Sequence, residues 1–291
     1  MIKGSIVALI TPMNEDFSVD YKGLESLIDY HLANKTDGLL VLGTTGESTT
    51  LSLEEQEKIV ALTIEKAKGK VHIMVGAGSN DTMKSVALAQ KYEKMGADSL
   101  LVITPYYNKT NEVGLLRHFE TIADSVKTPL VLYNVPARTG MNIPVHIVKK
   151  LSKHPNIQGI KEASGDIRYA TEIASLLSED FVMYSGNDDI ILPMLSLGSH
   201  GVITVWGNLH PRAAHDLVEE FQKGNIQVAR KIQLKFLEMI NALFIETNPI
   251  PLKTVMNYAS LPAGRLRLPL AEMTEEGEKY VKNAFENLRG K

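Results

Sequence analysis

The chain has 291 residues, 44% apolar and 22% charged, a balance close to the soluble globular average that argues against disorder. A formal net charge of −3 gives no basic footprint for nucleic acid or an anionic membrane surface. Cysteine is absent, which removes disulfides, thiolate nucleophiles and Cys-ligated metals together and fits a cytoplasmic protein.

The first apolar run, Ile6 to Ile10, is closed at once by Thr11-Pro12. It is too short for a signal-peptide core or a membrane span, and SIVALITP (Ser5–Pro12) reads as a strand entering a loop. DYKGLESLIDYHLAN (Asp20–Asn34) follows with helical spacing, placing Leu24, Leu27, Ile28 and Leu32 on one face. GLLVLGTTGE (Gly38–Glu47) is the next strand and turn. The helix after it, Leu51–Gly69, has Ser52 as N-cap, Glu55 as capping-box partner and a glycine stop.

The alternation continues through VHIMVGAG (Val71–Gly78), SLLVITPYY (Ser99–Tyr107), PLVLYNVP (Pro129–Pro136), IQGIKEAS (Ile157–Ser164), FVMYSGND (Phe181–Asp188) and GVITVWGN (Gly201–Asn208). A helical pattern separates each strand from the next. Strict alternation demands a parallel α/β sheet, and eight units favour the closed (β/α)8 TIM barrel over an open sheet. The spacing predicts a catalytic barrel over residues 1–224. Residues 225–291 read as a C-terminal helical region, with helices over Asn225–Ile245, around Val255 and over Glu275–Leu288.

In such a barrel the reactive groups stand at the C-terminal ends of strands and in the loops that follow. Those positions carry Thr44, Thr45, Gly46 and Glu47, then Pro105, Tyr106 and Tyr107. Further on come Tyr133, Asn134, Arg138 and Thr139, then Lys161 with Glu162, and finally Ser185, Gly186 and Asn187. Lys161 stands out. Removing an ammonium from water costs several kcal/mol unless it is paired or loses its proton. A lysine here either snorkels to the rim or pairs with a carboxylate such as Glu162, or it is a desolvated amine able to form a Schiff base with a carbonyl. Tyr133, on the adjacent strand, is either a structural tyrosine bonded to a backbone carbonyl or the group that moves the protons an imine requires. The GTTGE turn suits a carboxylate through a nest of N–H groups, or is a simple loop. Arg138 is a bidentate clamp for a second carboxylate or an exposed loop arginine.

Other chemistries find no footing. GAGSND (Gly76–Asp81) is not a dinucleotide fingerprint, because Asp81 stands where the last glycine belongs. No GxxxxGK[ST], HExxH or GxSxG occurs, and the eight histidines are scattered without metal-ligand spacing, so no metal is expected.

GTTGES (Gly43–Ser48), TPYYNK (Thr104–Lys109), YNVPARTG (Tyr133–Gly140), GIKEASGD (Gly159–Asp166), SGND (Ser185–Asp188) and NPIPLK (Asn248–Lys253) occur in that order. With them the chain resembles, from Gly4 almost to its C-terminus, the dihydrodipicolinate synthase / N-acetylneuraminate lyase group of pyruvate-dependent class I aldolases. Within the group it is most similar to the dihydrodipicolinate synthase branch, on the strength of Arg138 in YNVPARTG. That resemblance implies a cofactor-free condensation of pyruvate with L-aspartate 4-semialdehyde on the diaminopimelate route to lysine. It implies that Lys161 forms the imine, that Thr45 and Gly46 receive the pyruvate carboxylate, and that Gly186 and Ile203 line the site. Tyr133 would be the acid–base group, linked through Thr44 to Tyr107, which in this family reaches the neighbouring subunit of a homotetramer built from two tight dimers.

Lysine-inhibited relatives bind lysine through positions matching Ser48, Thr49, Leu53, Gln56, Asn80, Lys84 and Tyr106. Ser48, Asn80 and Tyr106 are retained here. Leu53 and Gln56 replace the histidines those enzymes often carry, and Lys84 replaces their glutamate, which implies weak or absent lysine feedback. The alternatives are another aldolase of the group, acting on N-acetylneuraminate or a 2-keto-3-deoxy sugar acid, and a catalytically silent barrel serving as sensor or scaffold.

Overall fold

The computed structural model of the protein describes residues 1–289. Eight strands alternate with helices in the order the hydrophobic pattern predicts. The first half holds β1 (Gly4–Ala8), α1 (Tyr21–Ala33), β2 (Gly38–Val41), α2 (Leu53–Ala67), β3 (His72–Gly76), α3 (Thr82–Met95), β4 (Ser99–Ile103) and α4 (Glu112–Asp124). Then follow β5 (Leu130–Asn134), the short α5 (Pro136–Thr139), α6 (Val145–Leu151), β6 (Ile157–Glu162), α7 (Ile167–Ala174), β7 (Val182–Ser185), α8 (Ile191–Ser196) and β8 (Gly201–Thr204). Four more helices complete the chain: α9 (Pro211–Gln222), α10 (Ile226–Ala242), α11 (Ile250–Tyr258) and α12 (Glu275–Arg289). The strands close into a parallel barrel in sequence order, so the fold is a (β/α)8 barrel with C-terminal helices.

Local chemistry sets the helix ends. Asp20 caps α1 by accepting from Gly23 N. In α2 the predicted capping box is complete: Ser52 Oγ accepts from Glu55 N at 3.2 Å, and Ser52 N donates to Glu55 Oε2 at 2.8 Å. Gly69, at φ +78°, takes the left-handed turn that ends it. One predicted face needs correction. Leu24, Leu27 and Ile28 of α1 are buried, but Leu32 is only half-buried and His31 takes its place in the interior. At about 100° of turn per residue, His31 falls in the middle of the stripe defined by Leu24, Leu27 and Ile28, whereas Leu32 falls at its edge. Burial pushes the imidazole down to about 3, so it is neutral, and its Nδ1 lies 3.1 Å from Thr36 Oγ1.

Two packed units make up the chain. One consists of Met1–Lys3 with Ile73–Ile203. Its strands run in parallel register, with Ile103 beside Tyr133, Tyr133 beside Lys161, and Lys161 beside Tyr184. Tyr92, Phe119, Ile122, Leu130 and Ile160 are fully buried there. Gly159 is needed for strand approach: a Cβ would lie 2.9 Å from the Val182 carbonyl oxygen on β7.

The other unit consists of Gly4–His72 with the chain from Thr204 onward. Ile6 pairs with Gly38 across β1 and β2. The Asn208 side chain stitches the end of β1, donating to Ala8 O at 2.8 Å and accepting from Ile10 N at 3.1 Å. Trp206 is fully buried, its ring 4.9 Å from that of Phe236 on α10. The C-terminal helices thus share a core with the first strands.

Candidate active site

Period-2 alternation along β6 sends Lys161 and Glu162 to opposite faces. Lys161 is 5% exposed, and its Nζ lies 4.4 Å from the centroid of the Tyr133 ring. Among the described residues it makes no hydrogen bond or ion pair. The pairing with Glu162 that the sequence allowed does not form. Instead Glu162 Oε2 accepts from Asn134 Nδ2 at 2.7 Å, and Oε1 accepts from Ser164 N at 2.7 Å and from the Ser164 hydroxyl. Burial raises the Glu162 carboxyl above the usual range, against the lowering effect of these bonds.

Tyr133 is 7% exposed, and its hydroxyl has no hydrogen-bond partner among the described residues. Structural tyrosines behave differently. Tyr169 donates to Ile143 O and Tyr184 to Ile2 O, each at 2.6 Å. An uncommitted phenol against an uncommitted buried amine is equipment for proton transfer at an imine. A cation over a ring face gains roughly 0.5–2 kcal/mol, far less than a full ion pair would return for the desolvation.

Around this pair, Arg138 stands exposed in α5. Gly186 follows β7, where a Cβ would come 2.5 Å from that of Ala163 and 3.0 Å from the Glu162 carbonyl oxygen. Ile203 is fully buried in β8. Tyr107 is 94% exposed with φ +68°, an uncommon conformation for a bulky residue and an unusual amount of aromatic surface to leave in water. Its loop is tied down, since Asn108 Nδ2 donates to Asn80 O at 2.9 Å.

In the other unit, the Gly43–Glu47 turn is internally bonded. Gly46 N donates to Gly43 O and Glu47 N to Thr44 O, both at 3.1 Å. The N–H of Gly46 is therefore engaged, whereas those of Thr44 and Thr45 are uncommitted among the described residues. Thr45 is buried and its Oγ1 accepts from Asn248 Nδ2 at 3.0 Å, which leaves the hydroxyl proton free to be donated elsewhere. A Cβ at Gly46 would lie 3.1 Å from Leu9 O, so only glycine lets the turn approach β1 this closely.

Two functional supports were not assigned from the sequence: Glu47 and Lys253. Both are buried, and Lys253 Nζ donates to Glu47 Oε1 at 2.8 Å, Thr11 O at 3.0 Å and Arg265 O at 2.5 Å. Glu47 Oε2 accepts from Arg267 N at 3.0 Å. Burial lowers Lys253 from the ordinary lysine value, opposed by Glu47. The signal was present as an acid in GTTGES, a lysine in NPIPLK and no stated use for either.

Of the lysine-site positions, Ser48 and Thr49 begin a single 3₁₀ turn (Ser48–Thr50), and Gln56 Nε2 donates to Ser48 O at 3.2 Å and Leu51 O at 3.1 Å. Leu53 is exposed. Lys84 is exposed on the first turn of α3, while Asn80 and Tyr106 are half-buried. One acidic–histidine group among the described residues, His215, Asp216 and Glu219, brings potential ligand atoms within 4.8 Å of one another. Each is already engaged, by Asp37, Arg212 and Lys223 respectively. Among the described residues no helix is long and apolar enough to cross a membrane.

A closed (β/α)8 barrel whose strand ends hold a buried, unpaired lysine against a free tyrosine defines an enzyme of the Schiff-base-forming lyase class. The model of the dihydrodipicolinate synthetase family matches residues 1–288. The 4-hydroxy-tetrahydrodipicolinate synthase of Caldicellulosiruptor saccharolyticus is 49% identical over 98% of this chain and 96% of its own. Among solved structures, the 4-hydroxy-tetrahydrodipicolinate synthase of the thermoacidophilic methanotroph Methylacidiphilum fumariolicum SolV superposes with a TM-score of 0.97 at 38% identity, covering 100% of this chain and 97% of that one. The DHDPS of Cyanidioschyzon merolae, solved with lysine bound, gives 0.95 at 36% identity, over 99% and 98% of the two chains. The chain belongs to the dihydrodipicolinate synthetase family.

Proposed function

We propose that this enzyme condenses pyruvate with L-aspartate 4-semialdehyde to give 4-hydroxy-tetrahydrodipicolinate, in the cytoplasm and without a cofactor. The observation that carries the reading is the buried Lys161 amine, unpaired and 4.4 Å from the ring of Tyr133. Lys161 adds to the pyruvate ketone, and water leaves as Tyr133 supplies a proton. Loss of a methyl proton turns the iminium into an enamine, whose carbon attacks the semialdehyde carbonyl. The substrate amine then displaces Lys161 from the iminium and closes the ring, returning the free enzyme. Imine electrophilicity and proton transfer drive every step.

Thr45 holds the pyruvate carboxylate, a role its hydroxyl supports because Asn248 occupies the acceptor side. Gly46 contributes the close turn rather than a free N–H. Thr44 and Tyr107 complete the proton relay, with Tyr107 supplied by a second copy in a tetramer of two tight dimers; its exposed ring and left-handed backbone support that role. Arg138 clamps the carboxylate of the semialdehyde, and Gly186 and Ile203 line the pyruvate end. Arg138 favours this reaction over cleavage of N-acetylneuraminate or a sugar acid, since a missing charge partner is costly. The catalytic barrel spans residues 1–224, and the helices from 225 onward support its Gly43–Glu47 turn.

Lysine feedback is weak or absent, because Lys84 presents a cation to the effector's ammonium. Half-inhibition at sub-millimolar lysine would contradict this. The central test is borohydride reduction with pyruvate, followed by peptide mapping. A pyruvyl adduct on Lys161 is expected; an adduct on another lysine, or none, removes the mechanism.

A further inference from the structure

Glu162 is a buried acid beside Lys161 that the proposed chemistry does not use. Its bonds have a fixed polarity. Ile143 N, a backbone donor that cannot reverse, donates to Asn134 Oδ1 at 3.0 Å. That sets the orientation of the Asn134 amide and leaves Nδ2 facing both Glu162 Oε2 and Asn142 Oδ1, each at 2.7 Å. On the other side Glu162 Oε1 faces Ser164 N, again a backbone donor. Both oxygens of residue 162 therefore accept, which a carboxyl group does and an amide, with its NH2 in place of one oxygen, cannot.

The network encloses one segment, residues 135–143, which carries Arg138. Its near end follows Asn134, which pairs with Glu162 across β5 and β6. Its far end is pinned at Ile143, whose N–H goes to Asn134 and whose carbonyl accepts from the Tyr169 hydroxyl. Between these ends several bonds stay within the segment. Arg138 N and Thr139 N both donate to Val135 O, and the Thr139 hydroxyl donates to Met141 O at 3.0 Å.

We infer that Glu162 is a positioning residue: its carboxylate, acting through Asn134 and Asn142, holds the 135–143 segment so that Arg138 meets the carboxylate of the second substrate. This rests on the role proposed for Arg138. A glutamine at 162 has the same shape but must turn an NH2 toward either Ser164 N–H or Asn134 Nδ2. Turning the Asn134 amide to compensate would set its NH2 against Ile143 N–H, so the link is broken either way.

The test compares Glu162→Gln with Asn142→Ala, which cuts only the loop end and leaves the buried acid paired. In both, borohydride trapping of pyruvate on Lys161 should proceed at the wild-type rate. KM for aspartate semialdehyde should rise about tenfold or more, as a displaced positioning group predicts, with kcat changing less. Amide exchange in residues 135–143 should accelerate, and Glu162→Gln should add nothing to Arg138→Ala. Unchanged exchange in that segment, losses that multiply in the double variant, or trapping that falls in step with KM would each overturn the inference. If Arg138→Ala alone leaves KM unaltered, the role of Arg138 fails, and amide exchange still judges whether Glu162 holds the loop.

Discussion

Lys161 and Lys253 are both buried lysines, yet they answer the cost of burial in opposite ways. Lys253 is 1% exposed and uses all three of its N–H groups, on one carboxylate and two backbone carbonyls. Lys161 is 5% exposed and uses none, resting on a ring face. An amine whose three N–H groups are all fixed on acceptors is pinned in place and cannot reach a substrate. An amine with no fixed acceptor has its nitrogen uncommitted, which attack on a carbonyl requires. Burial is common to both lysines; the partners are what differ.

The contrast breaks most sharply on exchanging each lysine for methionine. Lys161→Met should abolish the pyruvyl adduct and lower kcat on the order of 10⁵-fold, as removal of a covalent nucleophile does. Its Tm should stay level or rise, because an apolar side chain replaces a buried amine with no hydrogen bond or ion pair, only a ring face. A lower Tm would reveal a hidden partner for Lys161. Lys253→Met should do the reverse: it leaves Glu47 buried without its cation, costing about 3–5 kcal/mol in denaturant unfolding. The folded fraction should still form the pyruvyl adduct, and adding Glu47→Gln should recover part of the lost stability. Equal stability of Lys253→Met and wild type would mean that the pair holds nothing together.

Tyr133→Phe tests the partner of Lys161 more gently. It keeps the ring beneath the amine and removes only the proton carrier, so imine formation should slow by about 10²–10⁴-fold with stability unchanged. Acid acts on the two units through their buried histidines. His31, in the unit with β1 and β2, is held down to about 3, and His118, in the unit with β3 to β7, to about 4, both by burial. Their folded values lie below the unfolded value of about 6.5, so the stability they contribute is complete above that pH. It is lost progressively as pH falls from there through the folded values. Tm should decline steadily between about pH 6 and pH 4, and a level Tm over that range would show that both rings protonate without unfolding.

Most of the fold was legible because a parallel barrel writes its strands as separate apolar runs, and every predicted run overlaps an observed strand. Lys161 and Tyr133 were legible for the same reason, since strand alternation fixes which residues share a face. The sequence could not say whether Lys161 pairs with Glu162 or stands alone. That depends on Asn134 and Ser164 claiming the carboxylate. Nor could it distinguish Tyr133 from Tyr169, because the difference lies in one carbonyl brought near by folding. The exchange of Leu32 for His31 in the core of α1 escaped notice because a polar residue was presumed to face out. The engaged N–H of Gly46 and the Glu47–Lys253 pair were hidden because turn geometry and long-range contacts have no periodicity to read.

The Glu47–Lys253 bond joins residues 206 positions apart. During translation the carboxylate emerges early and its counter-ion only after more than two hundred further residues have been added. A nascent chain that already contains all eight strands still holds an acid with no place to bury it. The turn bearing Thr44 and Thr45 therefore gains this counter-ion only once α11 has left the ribosome. A product broken off before residue 253 lacks that cation, and its Glu47 carboxylate can be buried only at the cost of an unpaired charge.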